Sequence, residues 1–143
     1  MDASRKHEDD VKVLFVCEGN KMRSPMAEAF YNSLTNSHDA TSAGCDPYPL
    51  GGSFPEVIAA MKEKGVTLDH SSQLVTQAMI DAADKVITFP TSLMPDFVAK
   101  NPKTVQWDIS DPYYQPKDGA DHLRHARDKI DQLVRQLVNE ETE

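Results

Sequence analysis

The chain has 143 residues, a formal net charge of −8 and 39% hydrophobic residues, values typical of one globular domain spanning 1–143, with a polar tail at 1–10. The acidic balance argues against a nucleic-acid partner, no apolar run approaches the length of a membrane span, and MDASRKHEDD is not a signal-peptide pattern. Two cysteines, Cys17 and Cys45, do not make a disulfide framework, so a reduced cytoplasmic location is expected.

Hydrophobic periodicity predicts strands and helices in alternation along the chain. Val11 to Val16 is a nearly continuous apolar run, typical of a buried parallel strand, and Pro25 to Thr35 has apolar residues at helical spacing. Ser53 with Glu56 three residues later is a capping-box pattern that predicts a helix start. The other predicted elements are a strand at 39–43, a helix from Ser53 to near Gly65, a weak helix at 76–83, a strand at 85–89, a short helix at 92–100, a strand at 104–107 and a helix at 118–139. This order predicts an α/β fold, with a parallel sheet between two layers of helices.

The turn after the first predicted strand reads CEGNKMRS, from Cys17 to Ser24. Backbone N–H groups in such a loop and at the following helix N-terminus bind anions and also favour a cysteine thiolate. Gly19 and Asn20 tolerate left-handed backbone, Arg23 can grip two phosphate oxygens, and the hydroxyl of Ser24 can donate to the thiolate. The loop residues predicted to bind phosphate are Glu18, Gly19, Asn20, Lys21, Met22 and Ser24. The pattern predicts that Cys17 attacks phosphorus and forms a phosphocysteine, the alternative being a small buried hydrophobic residue.

Ligands of parallel α/β sheets bind at the carboxyl ends of the strands. Cys17, Ser42, the segment after Phe89 and the 108–114 loop all lie at the carboxyl ends of predicted strands and therefore at one edge of the sheet. Periodicity alone thus groups these segments into one candidate site.

VLFVCEGNKMRSPMAE, at 13–28, resembles the phosphate loop of the low-molecular-weight protein tyrosine phosphatases, whose fold is shared with one class of arsenate reductases. Asp111-Pro112-Tyr113-Tyr114 resembles the family's general-acid loop, and Thr41-Ser42-Ala43-Gly44 its second strand end, where a serine supports the phosphate loop. Supporting similarity is found at 60–66, 83–88 and 127–130. The resemblance implies a phosphotyrosine phosphatase I-like fold with four parallel strands in flavodoxin-like topology. It also implies hydrolysis of phosphotyrosine or aryl phosphate monoesters without a cofactor or metal.

The same resemblance assigns roles to the acid loop. Asp111 would protonate the leaving group and then activate water, with Asp108 as a rival for this role. Tyr113 and Tyr114 are expected to wall the pocket and stack on an aryl phosphate, and Tyr48 to form the opposite wall. The expected partner is a phosphotyrosine protein or a small aryl phosphate, with no membrane involved, and a monomer is favoured.

Several residues depart from the family pattern. Met22 stands where many members have a second cysteine that protects the nucleophile, and Ser72 replaces an arginine frequent in relatives. The arsenate reductase branch uses further cysteines near the third strand end, but residues 86–95 contain none and Cys45 is the only spare thiol. Two alternatives stay open: an arsenate reductase-like enzyme that uses an external thiol, and a non-catalytic phosphate-binding module. Glu18 beside a dianion pocket is expected to favour substrates with basic or neutral flanks.

Overall fold

The computed structural model of the protein describes residues 11–112 and 120–142. The described chain folds as β1 (Val13–Cys17), α1 (Arg23–Thr35), β2 (Ala40–Gly44), α2 (Pro55–Lys62), α3 (Gln77–Ala82), β3 (Lys85–Thr88), α4 (Asp96–Ala99), β4 (Thr104–Gln106) and α5 (Ala120–Thr142). The strands form one parallel sheet in the order β2-β1-β3-β4. This confirms the predicted α/β fold with a four-stranded parallel sheet.

Helices cover both faces of the sheet, and β1 at its centre is buried throughout. Val13 and Phe15 pack in a core with side chains of α1, α2 and α5, whereas Leu14 and Val16 pack with side chains of α3 and α4. Because side chains alternate across a strand, a strand covered on both sides must be apolar at every position, as the 11–16 run indicated. In the described part of the chain, no helix combines the length and the apolarity that crossing a bilayer requires.

The predicted elements are present with shifted ends, and one predicted helix start is wrong. Helix α2 begins at Pro55, after Phe54, and not at Ser53 with a capping box. Proline suits the first turn of a helix because an N–H there needs no intrahelical partner. The hydroxyl of Ser53 is buried and has no hydrogen-bond partner among the described residues. The helix predicted at 92–100 is also shorter, since it begins only after Pro95.

The sheet register sets the position of the candidate site. Cys17, the last residue of β1, lies opposite Gly44, the last residue of β2. Backbone hydrogen bonds between the two segments continue beyond the strands. Cys45 N–H donates to Cys17 O at 3.0 Å, and Asp46 N–H donates to Glu18 O at 2.8 Å. The loop after β1 and the loop after β2 therefore leave the sheet side by side.

Candidate active site

The sulfur of Cys17 lies at the carboxyl end of β1, where the loop returns into the N-terminus of α1. The backbone N–H of Asn20 donates to Cys17 Sγ at 3.3 Å, and Ser24 Oγ lies 2.9 Å from the same sulfur. Asn20 Nδ2 donates to Ser24 Oγ at 2.9 Å, which leaves the hydroxyl hydrogen available for the sulfur. Two hydrogen-bond donors and a helix N-terminus thus face one sulfur atom, so the sulfur lies where positive partial charges converge.

Asn20 occupies the left-handed region that its sequence position suggested, with φ of 54° and a fully buried side chain. Its Nδ2 also donates to Ser42 Oγ at 3.0 Å, while its Oδ1 accepts from Gln73 N–H at 3.0 Å. His70 Nε2 lies 3.0 Å from the same Oδ1 and 3.1 Å from Asn20 O. Both of these atoms are acceptors, so His70 carries its proton on Nε2. One side chain therefore fixes the loop conformation through three other segments of the chain.

A second layer of the network connects Ser42 with Glu28 on α1. Ser42 Oγ donates to Glu28 Oε1 at 2.6 Å, and His70 Nδ1 lies 3.9 Å from this oxygen. Burial raises the pKa of Glu28, and the hydrogen bond from Ser42 opposes that rise only in part. Burial lowers the pKa of His70, against the hydrogen bond with Asn20, so the imidazole is neutral at pH 7. Because the imidazole is neutral, its contact with Glu28 is not an ion pair.

Gly44 allows the phosphate loop to lie directly on the end of β2. A Cβ at this position would lie 2.8 Å from Glu18 O and 2.9 Å from the Cβ of Asn20. Carbon atoms do not approach backbone oxygen so closely without displacing it, so a larger residue here would push the loop outward. Glycine is thus required by the loop's packing and not by its own backbone angles.

Arg23 is buried and is anchored at a second edge of the site. Its Nη1 donates to Pro90 O and to Ile109 O, each at 3.0 Å, and its guanidinium lies 5.7 Å from the centroid of the Phe89 ring. Its Nη2 lies 3.4 Å from Asp111 Oδ2, but it makes no hydrogen bond of good geometry with the described residues. A buried guanidinium donor with an ion-pair contact but no well-directed hydrogen bond is a group that an oxyanion can satisfy.

A pocket of about 390 Å³ opens above the loop. It is lined by Cys17, Glu18, Gly19, Lys21, Met22, Asp46, Tyr48, Pro49, Phe54 and Asp111. The structure therefore brings the predicted nucleophile, the predicted acid and the predicted wall residue Tyr48 together. Asp108 lines a separate pocket with His122 and His125. Tyr113 and Tyr114 lie outside the described residues.

The sequence also matches the family model for low molecular weight phosphotyrosine protein phosphatases over residues 12–143. The chain belongs to this family. As a low molecular weight phosphatase it is an enzyme, which confirms the phosphatase function that the resemblance of residues 13–28 implied.

The proteins that are similar to this chain include phosphatases and an arsenate reductase. The protein-arginine-phosphatase of Bacillus subtilis is 28% identical over 145 residues, covering 90% of this chain and 95% of that protein. Arsenate reductase 1 of Staphylococcus epidermidis is 33% identical over 122 residues, covering 82% and 88%. Among solved structures, the Erwinia amylovora tyrosine phosphatase AmsI is 26% identical and superimposes with a TM-score of 0.79, covering 91% of this chain and 93% of that one.

This low molecular weight phosphatase has one further thiol close to its nucleophile. Cys45 follows β2 directly, and its Sγ lies 3.4 Å from Met94 Sδ. Burial, with the nearby Cys17 and Glu18 as smaller causes, raises the pKa of Cys45 to about 12. Cys45 is therefore a protonated, packed thiol at neutral pH.

Several residues of the phosphatase site were not predicted from the sequence. Glu28, His70 and Gln73 belong to the network around Asn20, and Phe54 lines the pocket. His70 and Gln73 lie in an irregular segment between α2 and α3, where hydrophobic periodicity gives no signal. The fold of the sheet brings His70 and Gln73 beneath the phosphate loop, although both are far from that loop in the sequence.

Proposed function

We propose that this phosphatase hydrolyses phosphotyrosine residues or aryl phosphate monoesters through a phosphocysteine intermediate on Cys17. The observation that carries the proposal is the sulfur of Cys17, which faces two hydrogen-bond donors at the N-terminus of α1. Neither donor would be needed by a merely packed thiol, and both stabilise a thiolate. The same pocket contains the carboxyl group of Asp111.

The residues support a two-step displacement. The Cys17 thiolate attacks phosphorus, the S–P bond forms, the P–O ester bond breaks, and Asp111 in its acid form gives a proton to the leaving oxygen. Water then attacks the phosphocysteine, the Asp111 carboxylate takes a proton from this water, and inorganic phosphate leaves with the thiolate restored. Backbone N–H groups of the loop and the Nη2 group of Arg23 would hold the phosphate oxygens through both steps.

Asp111 is a better candidate for the acid than Asp108. Asp111 lines the pocket above Cys17 and lies within 3.4 Å of Arg23 Nη2, the donor assigned to the phosphate. Asp108 is exposed and belongs to the neighbouring pocket. The position of each carboxyl group supports the assignment that the resemblance to the acid loop implied.

The pocket walls suit an aromatic leaving group. Met22, Tyr48, Pro49 and Phe54 present apolar surface above the loop, on which an aryl ring can pack. This supports an aryl phosphate in preference to a sugar phosphate, which would place hydroxyl groups against these side chains.

Phosphoarginine is a second candidate substrate. Glu18, Asp46 and Asp111 place three carboxyl groups around the pocket, which suits a leaving group that carries positive charge. The similarity of this chain to the protein-arginine-phosphatase of B. subtilis also supports this candidate. In this case the P–N bond breaks and the guanidinium leaves.

Parallel assays of the purified enzyme separate the candidate functions. We expect release of p-nitrophenol from p-nitrophenyl phosphate and faster hydrolysis of a phosphotyrosine peptide than of a matched phosphoarginine peptide. The reverse order would favour the phosphoarginine substrate. Thiol-dependent formation of arsenite from arsenate without p-nitrophenol release would favour the reductase, and phosphate binding with neither reaction would favour a binding module.

The charge of Glu18 is expected to select substrates by their flanking residues. Its Oε1 accepts from Thr91 Oγ1 at 2.8 Å, which holds the carboxylate at the side of the pocket beside Asp46. We expect kcat/KM to be about fivefold higher for a phosphotyrosine peptide with basic flanks than for one with acidic flanks, and Glu18→Gln to reduce this preference by half or more.

Asp81→Asn is the matched control for the Glu18 measurement, because it removes one exposed carboxylate outside the pocket. The ratio of kcat/KM values for the basic and acidic peptides should be the same in Asp81→Asn as in the unsubstituted enzyme. Equal kcat/KM for the two peptides in the unsubstituted enzyme would contradict the assigned role of Glu18.

A further inference from the structure

Lys21 stands within the phosphate loop, but its ammonium group is directed at protein oxygens. Its Nζ donates to Pro47 O at 2.8 Å, to Ser72 Oγ at 3.2 Å and to Gly19 O at 3.5 Å. An ammonium group has three donors, so these acceptors use all of them. The side chain is thus occupied by contacts that a bound phosphate would have to replace.

Two of these contacts lead to the loop that carries Tyr48. We define the wall loop as residues 46–52. Ser72, which is buried, donates from its backbone N–H to Gly51 O at 2.7 Å, and its Oγ accepts from Gly51 N–H at 2.9 Å. Lys21 therefore holds the wall loop directly through Pro47 and indirectly through Ser72. Tyr48 is 61% exposed between these two attachment points.

We propose that Lys21 is a positioning residue, which holds the wall loop so that Tyr48 packs against the ring of an aryl substrate. The proposal rests on the proposed function, because it assigns a role toward the leaving group of that reaction. Ser72 is neutral, so Lys21 supplies the cation of this contact from the phosphate loop.

Binding measurements on the Cys17→Ser protein separate an effect on the ring from an effect on the phosphate. Calorimetry would give the Kd of phenylphosphonate and of inorganic phosphate, with and without Lys21→Met. We expect the Kd of phenylphosphonate to rise about fivefold and that of inorganic phosphate by less than about twofold, because only the first ligand has a ring. Lys62→Met, which removes an exposed lysine of α2, should change neither value.

A double-mutant cycle with Tyr48→Ala tests the route of the effect. If Lys21 acts through the wall loop, Lys21→Met should have no further effect on phenylphosphonate binding once Tyr48 is truncated. Lys21→Arg, which keeps a cation and its donors, should restore most of the aryl binding. If the two substitutions are additive, or if phosphate binding weakens as much as phenylphosphonate binding, the proposal is wrong.

Ser72→Ala provides a second variant should Lys21→Met fold poorly. It removes one acceptor of Lys21 and one tie to Gly51, so it should weaken phenylphosphonate binding in the same direction and by a smaller factor. Failure of the proposed function itself would look different. The unsubstituted enzyme would then release no p-nitrophenol, whereas failure of the Lys21 proposal leaves turnover intact and the aryl preference unchanged.

Discussion

Replacement of Cys17 by serine is expected to reduce hydrolysis of p-nitrophenyl phosphate by roughly 10⁴-fold or more, to the background of the assay. A serine hydroxyl in this loop keeps the hydrogen-bond geometry but is a far weaker nucleophile than the thiolate. The loop N–H groups and Arg23 remain, so inorganic phosphate should still bind to the variant. Steady-state release of p-nitrophenol and calorimetric phosphate binding measure the two effects.

Cys45→Ser is the matched control for this result. Cys45 is the only other cysteine of the chain, and burial raises its thiol pKa to about 12, so it provides no thiolate at neutral pH. Activity of the Cys45→Ser enzyme should stay within about twofold of the unsubstituted enzyme. Substantial activity in Cys17→Ser, or its loss in Cys45→Ser alone, would contradict the assigned nucleophile.

Asp111→Asn should slow the first chemical step, and the effect should be larger for leaving groups with a higher pKa, which depend more on protonation by the acid. General acid catalysis contributes about 10²- to 10⁴-fold, so we expect kcat/KM for phenyl phosphate to fall at least 10²-fold. The fall for p-nitrophenyl phosphate should be smaller, because p-nitrophenolate leaves readily without a proton. A series of aryl phosphates with different leaving-group pKa values measures this dependence.

Asp108→Asn tests the rival acid in the same series. Asp108 lies in the neighbouring pocket, so its replacement should change kcat/KM by less than about twofold for every leaving group. A steep dependence on the leaving group in Asp108→Asn, with none in Asp111→Asn, would reverse the assignment.

Local chemistry explains what could be predicted from the sequence. The strand, loop and helix from Val13 to Thr35 are adjacent in the chain, so apolar patterning and the Cys17–Ser24 motif specify them together. The parallel sheet then requires the ends of β2 and β3 to lie beside Cys17 and the end of β4 to lie at the same edge. For this reason Ser42 could be expected at the site, and Asp111 could be expected there from its place after β4 and its resemblance to the acid loop.

The site features that could not be predicted from the sequence depend mainly on contacts between segments that are far apart in the chain. His70 and Gln73 contact Asn20 from positions that are 50 and 53 residues further along the chain. The direction of the Lys21 side chain is likewise decided by its hydrogen bonds to Pro47 O and Ser72 Oγ. From the sequence alone, a lysine in a phosphate loop is expected to bind phosphate. At Ser53 a local capping pattern was overridden by Pro55, which starts the helix two residues later.

The anchoring of Arg23 links anion affinity to the folding of the whole sheet. Its guanidinium is held by Pro90 O, beyond β3, and by Ile109 O, beyond β4, while its backbone begins α1. An unfolded or partly folded chain cannot assemble this set, so only the native state has high affinity for a phosphate-like anion. By mass action, any anion that occupies the pocket shifts the folding equilibrium toward the native state. Cellular phosphate would then act as a stabiliser of this enzyme as well as the product that it releases.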